Sequence, residues 1–184
     1  MIPDSATHIP EGVRQYSSDE IAFRVQEIAG QITADYDGEE IRLITVLKGG
    51  LFFLADLTRA INAPVTLDFM AISSYGAGSS GVVRITKDLE DSIEGAHVLV
   101  VEDVVDTGLT LRYVLKVLQA RNPASIKVCA MFDKRVRRIV RTEIAYCGFD
   151  VPDKFLVGYG LDYLGKYRNL PDVWSLDDSL LATY

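Results

Sequence analysis

The sequence has no apolar run that approaches the roughly 20 residues a transmembrane helix needs, so we expect no membrane contact. Residues 1–8 lack a basic region followed by an apolar one, so no signal peptide is expected. Cysteine and histidine are scarce, with two of each. Cys129 and Cys147 have no metal-ligand spacing with each other or with His8 and His97, and they predict two buried, reduced thiols in a cytoplasmic protein.

Basic residues are also fewer than acidic ones. Lys and Arg number 19 against 26 Asp and Glu, so the net charge is -7, and the isoelectric point is about 4.8. This balance disfavours general binding of nucleic acid, and we expect none. Hydrophobic residues make up 48% and charged residues 24% of the 184 residues, which is typical of a globular protein. We predict one domain spanning 1–184.

The chain does contain alternating helix and strand patterns. Ser17 and Glu20 fit a capping box, and apolar residues then recur at helical spacing from Ile21 to Ile32. Residues 1–16 show no periodicity and predict an arm. Apolar, β-branched runs predict strands at 41–47, 65–72, 82–86, 97–101, 125–132, 143–147 and 155–159, with an edge piece at 173–176. This alternation predicts an α/β fold in which helices flank a parallel sheet.

The most informative stretch is residues 97–110. His97 to Val101 predicts a strand buried on both faces, and the acids Glu102, Asp103 and Asp106 follow it. Residues 107–110 then lead into an amphipathic helix pattern, so the stretch predicts a strand, an acidic loop and a helix. In open parallel sheets, ligands bind beyond the carboxyl ends of the strands, and this loop lies at such an end.

The residue types in this loop indicate the ligand. Thr107, Gly108 and Thr110 offer hydroxyls, backbone N–H groups and a helix N-terminus, which together suit a phosphate. Glu102 and Asp103 would repel an anion unless they bind sugar hydroxyls or share a Mg²⁺ ion with the ligand. The loop therefore predicts a ligand that combines a phosphate and a sugar diol, with a metal beside them.

The segment from Val101 to Thr110 resembles the phosphoribosyl-diphosphate (PRPP) motif of the type I phosphoribosyltransferases, in particular those that act on 6-oxopurines. The resemblance extends from about Tyr16 to Trp174. It implies the fold of that family, with a small hood formed by the N-terminal arm and the C-terminal segment, and with a flexible lid loop. It further implies Mg²⁺ as cofactor and PRPP and a 6-oxopurine as substrates, in a homodimer or homotetramer.

The resemblance also implies roles for individual residues. Asp106 would be catalytic, and Glu102, Asp103 and Asp162 would bind the metal. The PRPP site would comprise Lys48, Gly49, Glu102, Asp103, Asp106, Thr107, Gly108, Leu109, Thr110 and Arg168. The purine site would comprise Lys134, Phe155, Leu156 and Asp162. Ser74 and Tyr75 would belong to the lid, and the Leu47–Lys48 peptide can be cis in this family.

Two other sequence features have plain structural interpretations, and two alternative functions remain. Residues 76–81 match the dinucleotide-binding pattern G-x-G-x-x-G, but a strand pattern follows where that motif requires a helix, so we reject it. In the basic run after Lys134, the side chains of Arg135, Arg137 and Arg138 predict a solvated face. A PRPP-binding regulator of RNA or DNA is the main rival function, and the presence of Asp106 and the acidic charge speak against it. Preference for xanthine as the acceptor base is the second alternative.

Overall fold

The structure is a computed structural model that describes residues 12–75 and 82–176. Most of the predicted arm and the whole of the glycine-rich 76–81 segment lie outside the described residues. The helices are α1 (Ser18–Tyr36), α2 (Leu51–Ala60) and α3 (Leu109–Gln119). The strands are β1 (Gly12–Tyr16), β2 (Ile41–Leu47), β3 (Val65–Tyr75), β4 (Val82–Lys87), β5 (His97–Val105), β6 (Ser125–Asp133), β7 (Tyr146–Asp150), β8 (Phe155–Val157) and β9 (Val173–Leu176).

Six of these strands form the main sheet, in the order β4-β3-β2-β5-β6-β7. All neighbouring pairs are parallel except β3 and β4, which form an antiparallel hairpin at one edge. Helices α2 and α3 connect β2 to β3 and β5 to β6, whereas the connection from β6 to β7 contains a short 3₁₀ turn at Arg135–Arg137. The α/β prediction is confirmed, and the carboxyl ends of β2, β5 and β6 meet at one edge of the layer.

The apolar runs bury both faces of this sheet. On β5, Leu99 and Val101 pack in the cluster that contains α1 and α2, whereas Val98 and Val100 pack in the cluster that contains α3. The predicted capping box starts α1, because the Ser17 side chain accepts a hydrogen bond from the Glu20 N–H while the Glu20 carboxylate accepts one from the Ser17 N–H. Within the described ranges, no helix has both the length and the hydropathy needed to cross a bilayer.

A second, antiparallel sheet has the order β1-β9-β8 and corrects three predictions. Residues 12–16 form strand β1 and not part of an irregular arm. The segment 173–176 is the central strand of this sheet and not an edge piece, and all four of its residues are buried. The segment 155–159 does not join the main sheet, since β8 ends at Val157 and pairs only with β9. Local patterns show that a strand exists but do not name its partner.

Candidate active site

Glu102 and Asp103 belong to strand β5, so the prediction that they lie in a loop is wrong. The β5–β6 ladder continues from Glu102 to Val105, whereas the β2–β5 ladder ends where Thr45 pairs with Val101. The last four residues of β5 therefore have a neighbouring strand on one side only. A cavity of about 320 Å³ opens on the other side, and both carboxylates line it.

Burial of these acids controls their electrostatics. Glu102 is 8% exposed, and burial, followed by the charge of Asp103, raises its pKa well above the usual range. Its Oε1 atom is shielded from solvent and accepts no hydrogen bond from the described residues. Burial also raises the pKa of Asp103, although the Val104 N–H donates a 2.8 Å hydrogen bond to its Oδ1. Such a pair attracts a ligand that brings hydroxyl donors or a cation.

The end of β2 approaches Asp103 closely. A Cβ atom on Gly49 would lie 1.7 Å from Asp103 Oδ2, so only glycine permits this contact. The Leu47–Lys48 peptide bond before it is cis. Leu47 and Gly49 line the 320 Å³ cavity, but the Lys48 side chain is exposed and does not contribute to its wall.

The turn from β5 into α3 forms the opposite wall. Gly108 has φ +82° at the start of α3, and a Cβ there would lie 2.7 Å from the Val140 carbonyl oxygen. The N–H groups of Ile139 and Val140 both donate to the Thr107 carbonyl, at 3.0 and 3.1 Å. Thr107, Gly108 and Thr110 line the cavity as predicted for a phosphate loop, whereas the Leu109 side chain is half exposed.

A second cavity of about 260 Å³ adjoins the first. The two share Asp103, Val104, Asp106, Asp162 and Arg168. The second also contains the residues predicted for the purine, which are Lys134, Phe155 and Leu156. The structure thus brings residues from the main sheet and from the β1-β9-β8 sheet together at Asp106.

Lys134 is the buried cation of this second cavity. Lys134 directly follows β6 and is 8% exposed. Its backbone N–H donates a 3.0 Å hydrogen bond to the Val105 carbonyl. Burial lowers the pKa of Lys134, while the charges of Asp106 and Asp153 oppose that shift. A buried ammonium group has lost hydrogen bonds to water, so a ligand oxygen that accepts a hydrogen bond would stabilise it.

Asp162 and Arg168 meet at the border of the two cavities. They form an ion pair, and the second Asp162 oxygen accepts a 2.7 Å hydrogen bond from the Gly165 N–H. Arg168 also donates to the Gly160 carbonyl. Both side chains are thus engaged with the protein while they line the cavities.

The prediction of a solvated basic face after Lys134 needs correction. Arg135 and Arg137 are largely exposed, but Arg137 Nε lies 3.2 Å from Asp106 Oδ1. The Arg138 side chain is only 12% exposed and pairs with the buried Asp133. The carboxylates that pair with a basic run can come from distant segments. The sequence of the run alone therefore does not predict the contacts of Arg137 and Arg138.

Ser74 and Tyr75 end strand β3, where they pair with Val83 and Val82 of β4. Ser74 and Tyr75 are thus the last described residues before the 76–81 segment. The role of Ser74 and Tyr75 in closure is a prediction about residues 76–81 as well, which lie outside the described part of the chain.

The fold and the site define an α/β protein with two adjoining cavities at the carboxyl ends of its parallel strands, which meet at Asp106. Residues 13–164 match the family model described as phosphoribosyl transferase domain, and the chain belongs to that family.

The chain is 48% identical over 169 residues to the hypoxanthine-guanine phosphoribosyltransferase of Mycobacterium tuberculosis, which covers 88% of this chain and 84% of that protein. It is 45% identical over 159 residues to the hypoxanthine phosphoribosyltransferase of Haemophilus influenzae, which covers 84% and 89% of the two chains. The structure of the Trypanosoma cruzi hypoxanthine phosphoribosyltransferase in complex with its product IMP matches with a TM-score of 0.89 at 41% identity, over 94% of this chain and 98% of that one.

Proposed function

We propose that this chain transfers the 5-phosphoribosyl group of PRPP to N9 of a 6-oxopurine, hypoxanthine or guanine, in purine salvage. The products are IMP or GMP and pyrophosphate. The observation that carries the proposal is the meeting of the two cavities at Asp106, with a phosphate-type loop in one and the buried Lys134 in the other. The named relatives agree with this reaction, and they favour neither a regulator of nucleic acid nor a xanthine-preferring enzyme.

The reaction breaks the bond between C1′ and the pyrophosphate oxygen before much new bonding to N9 exists, so positive charge develops on the ribose. Glu102 and Asp103 would bind the ribose hydroxyls, and their carboxylates favour that charge. Residues 107–110 would hold the 5′-phosphate at the N-terminus of α3. Lys48, Gly49 and Arg168 would contact the leaving pyrophosphate. Catalysis would then come mainly from positioning and fixed charges.

Asp106 is proposed as the proton acceptor. It follows β5 and faces both cavities, so a purine placed against Phe155 would present N7 to its carboxylate. As N9 attacks C1′, the ring becomes more acidic, and a carboxylate near N7 takes or shares the proton.

The acidic residues fit a magnesium ion that the substrate helps to hold. Glu102 Oε1 is a buried oxygen without a hydrogen-bond donor, and Asp103 lies beside it. In the described residues no group of three or more acidic, His or Cys side chains could hold a metal by itself, so phosphate and ribose oxygens would complete the coordination. Glu102 and Asp103, directly or through water, are the proposed ligands of this ion, and Asp162 would hold a second Mg²⁺ through water. When bound, the ion would neutralise charge on the leaving pyrophosphate.

The purine would stack on Phe155, which is 38% exposed. The Phe155 ring packs edge-on against Tyr163, with 5.5 Å between the two ring centroids. Leu156 would offer main-chain groups to the base edge, Asp162 would lie beside it, and Lys134 would donate to the oxygen at position 6. Ser74 and Tyr75 are proposed to belong to a lid that excludes water.

Three further properties stay predictions. We propose that the chain forms one phosphoribosyltransferase domain, in which the β1-β9-β8 sheet is the hood. A cytoplasmic location agrees with the two free cysteines. We also propose a homodimer or homotetramer.

The direct test is an assay with PRPP, Mg²⁺ and hypoxanthine, guanine, xanthine or adenine, in which pyrophosphate and nucleotide are both quantified. The proposal expects equal amounts of both products with hypoxanthine or guanine. Pyrophosphate release that does not depend on the base would contradict it.

A further inference from the structure

Arg137 lies between two carboxylates, one of which, Asp106, lines the second cavity. Its Nε atom is 3.2 Å from Asp106 Oδ1, and its Nη1 atom is 3.5 Å from Asp153 Oδ1. Asp106 follows strand β5 of the main sheet, whereas Asp153 precedes Phe155 at the start of β8. One guanidinium therefore connects the end of β5, which carries Asp106, to the segment that leads into Phe155.

The backbone holds Arg137 in this position. It ends a short 3₁₀ turn, and its N–H donates a 3.1 Å hydrogen bond to the Lys134 carbonyl. The Lys134 N–H in turn donates to the Val105 carbonyl, one residue before Asp106. The turn is thus attached to the same strand end that carries the proposed proton acceptor.

This contact makes the two oxygens of Asp106 different. Oδ1 faces Arg137 and is shielded from solvent, and it accepts no hydrogen bond from the described residues. The side chain as a whole is 40% exposed, so the exposure lies on its other atoms, among them Oδ2. A fixed cation against one oxygen leaves the other free for a ligand.

We propose that Arg137 is a positioning residue that holds the Asp106 carboxylate with Oδ2 directed into the purine cavity, toward N7 of the bound base. The inference rests on the proposed function, in which Asp106 accepts the purine proton. Asp153 lies against the other side of the guanidinium, with its Oδ1 atom 3.5 Å from Arg137 Nη1. Partly exposed ion pairs add little to stability, which favours a role in positioning over one in folding.

The test compares Arg137→Ala with Arg137→Lys and with a matched control, Arg135→Ala. Arg135 lies in the same turn and pairs with Asp133 and Asp150 instead of Asp106. The readouts are the single-turnover rate of IMP formation, since product release limits kcat in many enzymes, and the Kd for PRPP. A displaced catalytic group costs up to about 10²-fold, so we expect Arg137→Ala to slow the chemical step about tenfold with the Kd for PRPP unchanged. Arg137→Lys should recover most of that rate, and Arg135→Ala should match the parent.

A second experiment tests the positioning role of Arg137 separately from the proton-acceptor role of Asp106. Because Arg137 is proposed to act through Asp106, Arg137→Ala should have almost no further effect in an Asp106→Asn background. An equal loss in both backgrounds, or a parental rate for Arg137→Ala, would overturn the positioning role alone. A parental rate for Asp106→Asn itself would instead refute the proton-acceptor role on which the inference rests.

Discussion

Replacing Lys134 should change which purine the protein uses. The ammonium group has three donors and no acceptor, and its side chain is 8% exposed. Hypoxanthine, guanine and xanthine present an oxygen at position 6, whereas adenine presents an amino group with hydrogens of its own. With adenine, the buried cation would face another donor. We therefore expect the parent protein to reject adenine.

The size of the discrimination follows from the surroundings of Lys134. Sites built around a required hydrogen bond reject an analogue that lacks it by about 10⁴–10⁵-fold. Asp106 and Asp153 both act on Lys134 electrostatically, so they would partly compensate the ammonium when no base oxygen is present. We expect the lower end of the range, about 10⁴. A hydrogen bond to a charged group contributes about 1.5–3 kcal/mol, so Lys134→Ala should lower kcat/KM for hypoxanthine by about 10–200-fold.

The assay measures kcat/KM for hypoxanthine and for adenine in the parent and in Lys134→Ala. The variant should keep the weak adenine rate while it loses hypoxanthine activity, so the ratio between the two bases should fall. Comparable use of adenine by the parent, or an unchanged ratio in the variant, would refute the assignment of Lys134 to position 6.

Four other outcomes are expected. Asp106→Asn keeps the side-chain shape but removes the basic carboxylate, and should lower kcat by about 10²–10⁴-fold with little change in PRPP binding; a loss below threefold would contradict the proton-acceptor role. Excess EDTA should abolish turnover and added Mg²⁺ should restore it, because several carboxylates face a polyanionic substrate; full turnover in EDTA would exclude the metal. Residues 73–86 should be the internal segment most sensitive to protease, and a substrate analogue with Mg²⁺ should protect it; cleavage that ligands leave unchanged would rule out a lid. Glu102→Gln should stabilise the protein by about 1–3 kcal/mol at a pH above the folded-state pKa of Glu102, because folding there would place a charged carboxylate in a buried site without a hydrogen-bond donor. Burial raises the pKa of Glu102 in the folded state, so this gain should be present above that pKa and vanish as the pH falls to the ordinary value of 4.5; thermal unfolding over a pH series would show the opposite trend if the buried charge were compensated.

The main sheet could be predicted from sequence because its strands are apolar on both faces and alternate with helix patterns. The end of β5 could not, since Glu102 and Asp103 break the apolar run, and only the pairing with β6 extends the strand to Val105. The hydrogen bonds between paired strands are made by the backbone. A strand can therefore contain acidic residues such as Glu102 and Asp103, which have a low intrinsic preference for strands.

The β1-β9-β8 sheet was harder to predict for a different reason. Its strands come from the two ends of the described chain, and β8 has only three residues. The role proposed for Phe155 rests on family resemblance, because a single aromatic residue in an apolar run is equally typical of the core. The burial of Arg138 could not be predicted from the basic run. It depends on an ion pair with Asp133 at the end of β6, and the fold shields both charges from solvent.

The proposed reaction forms one carbon–nitrogen bond, between C1′ of PRPP and N9 of a 6-oxopurine. Incubation of the protein with PRPP, Mg²⁺ and ¹⁵N-labelled hypoxanthine, followed by NMR, tests it directly. We expect a product whose C1′ is coupled to N9, together with one pyrophosphate per nucleotide. Unchanged hypoxanthine, or a ribose attached through another ring nitrogen, would contradict it.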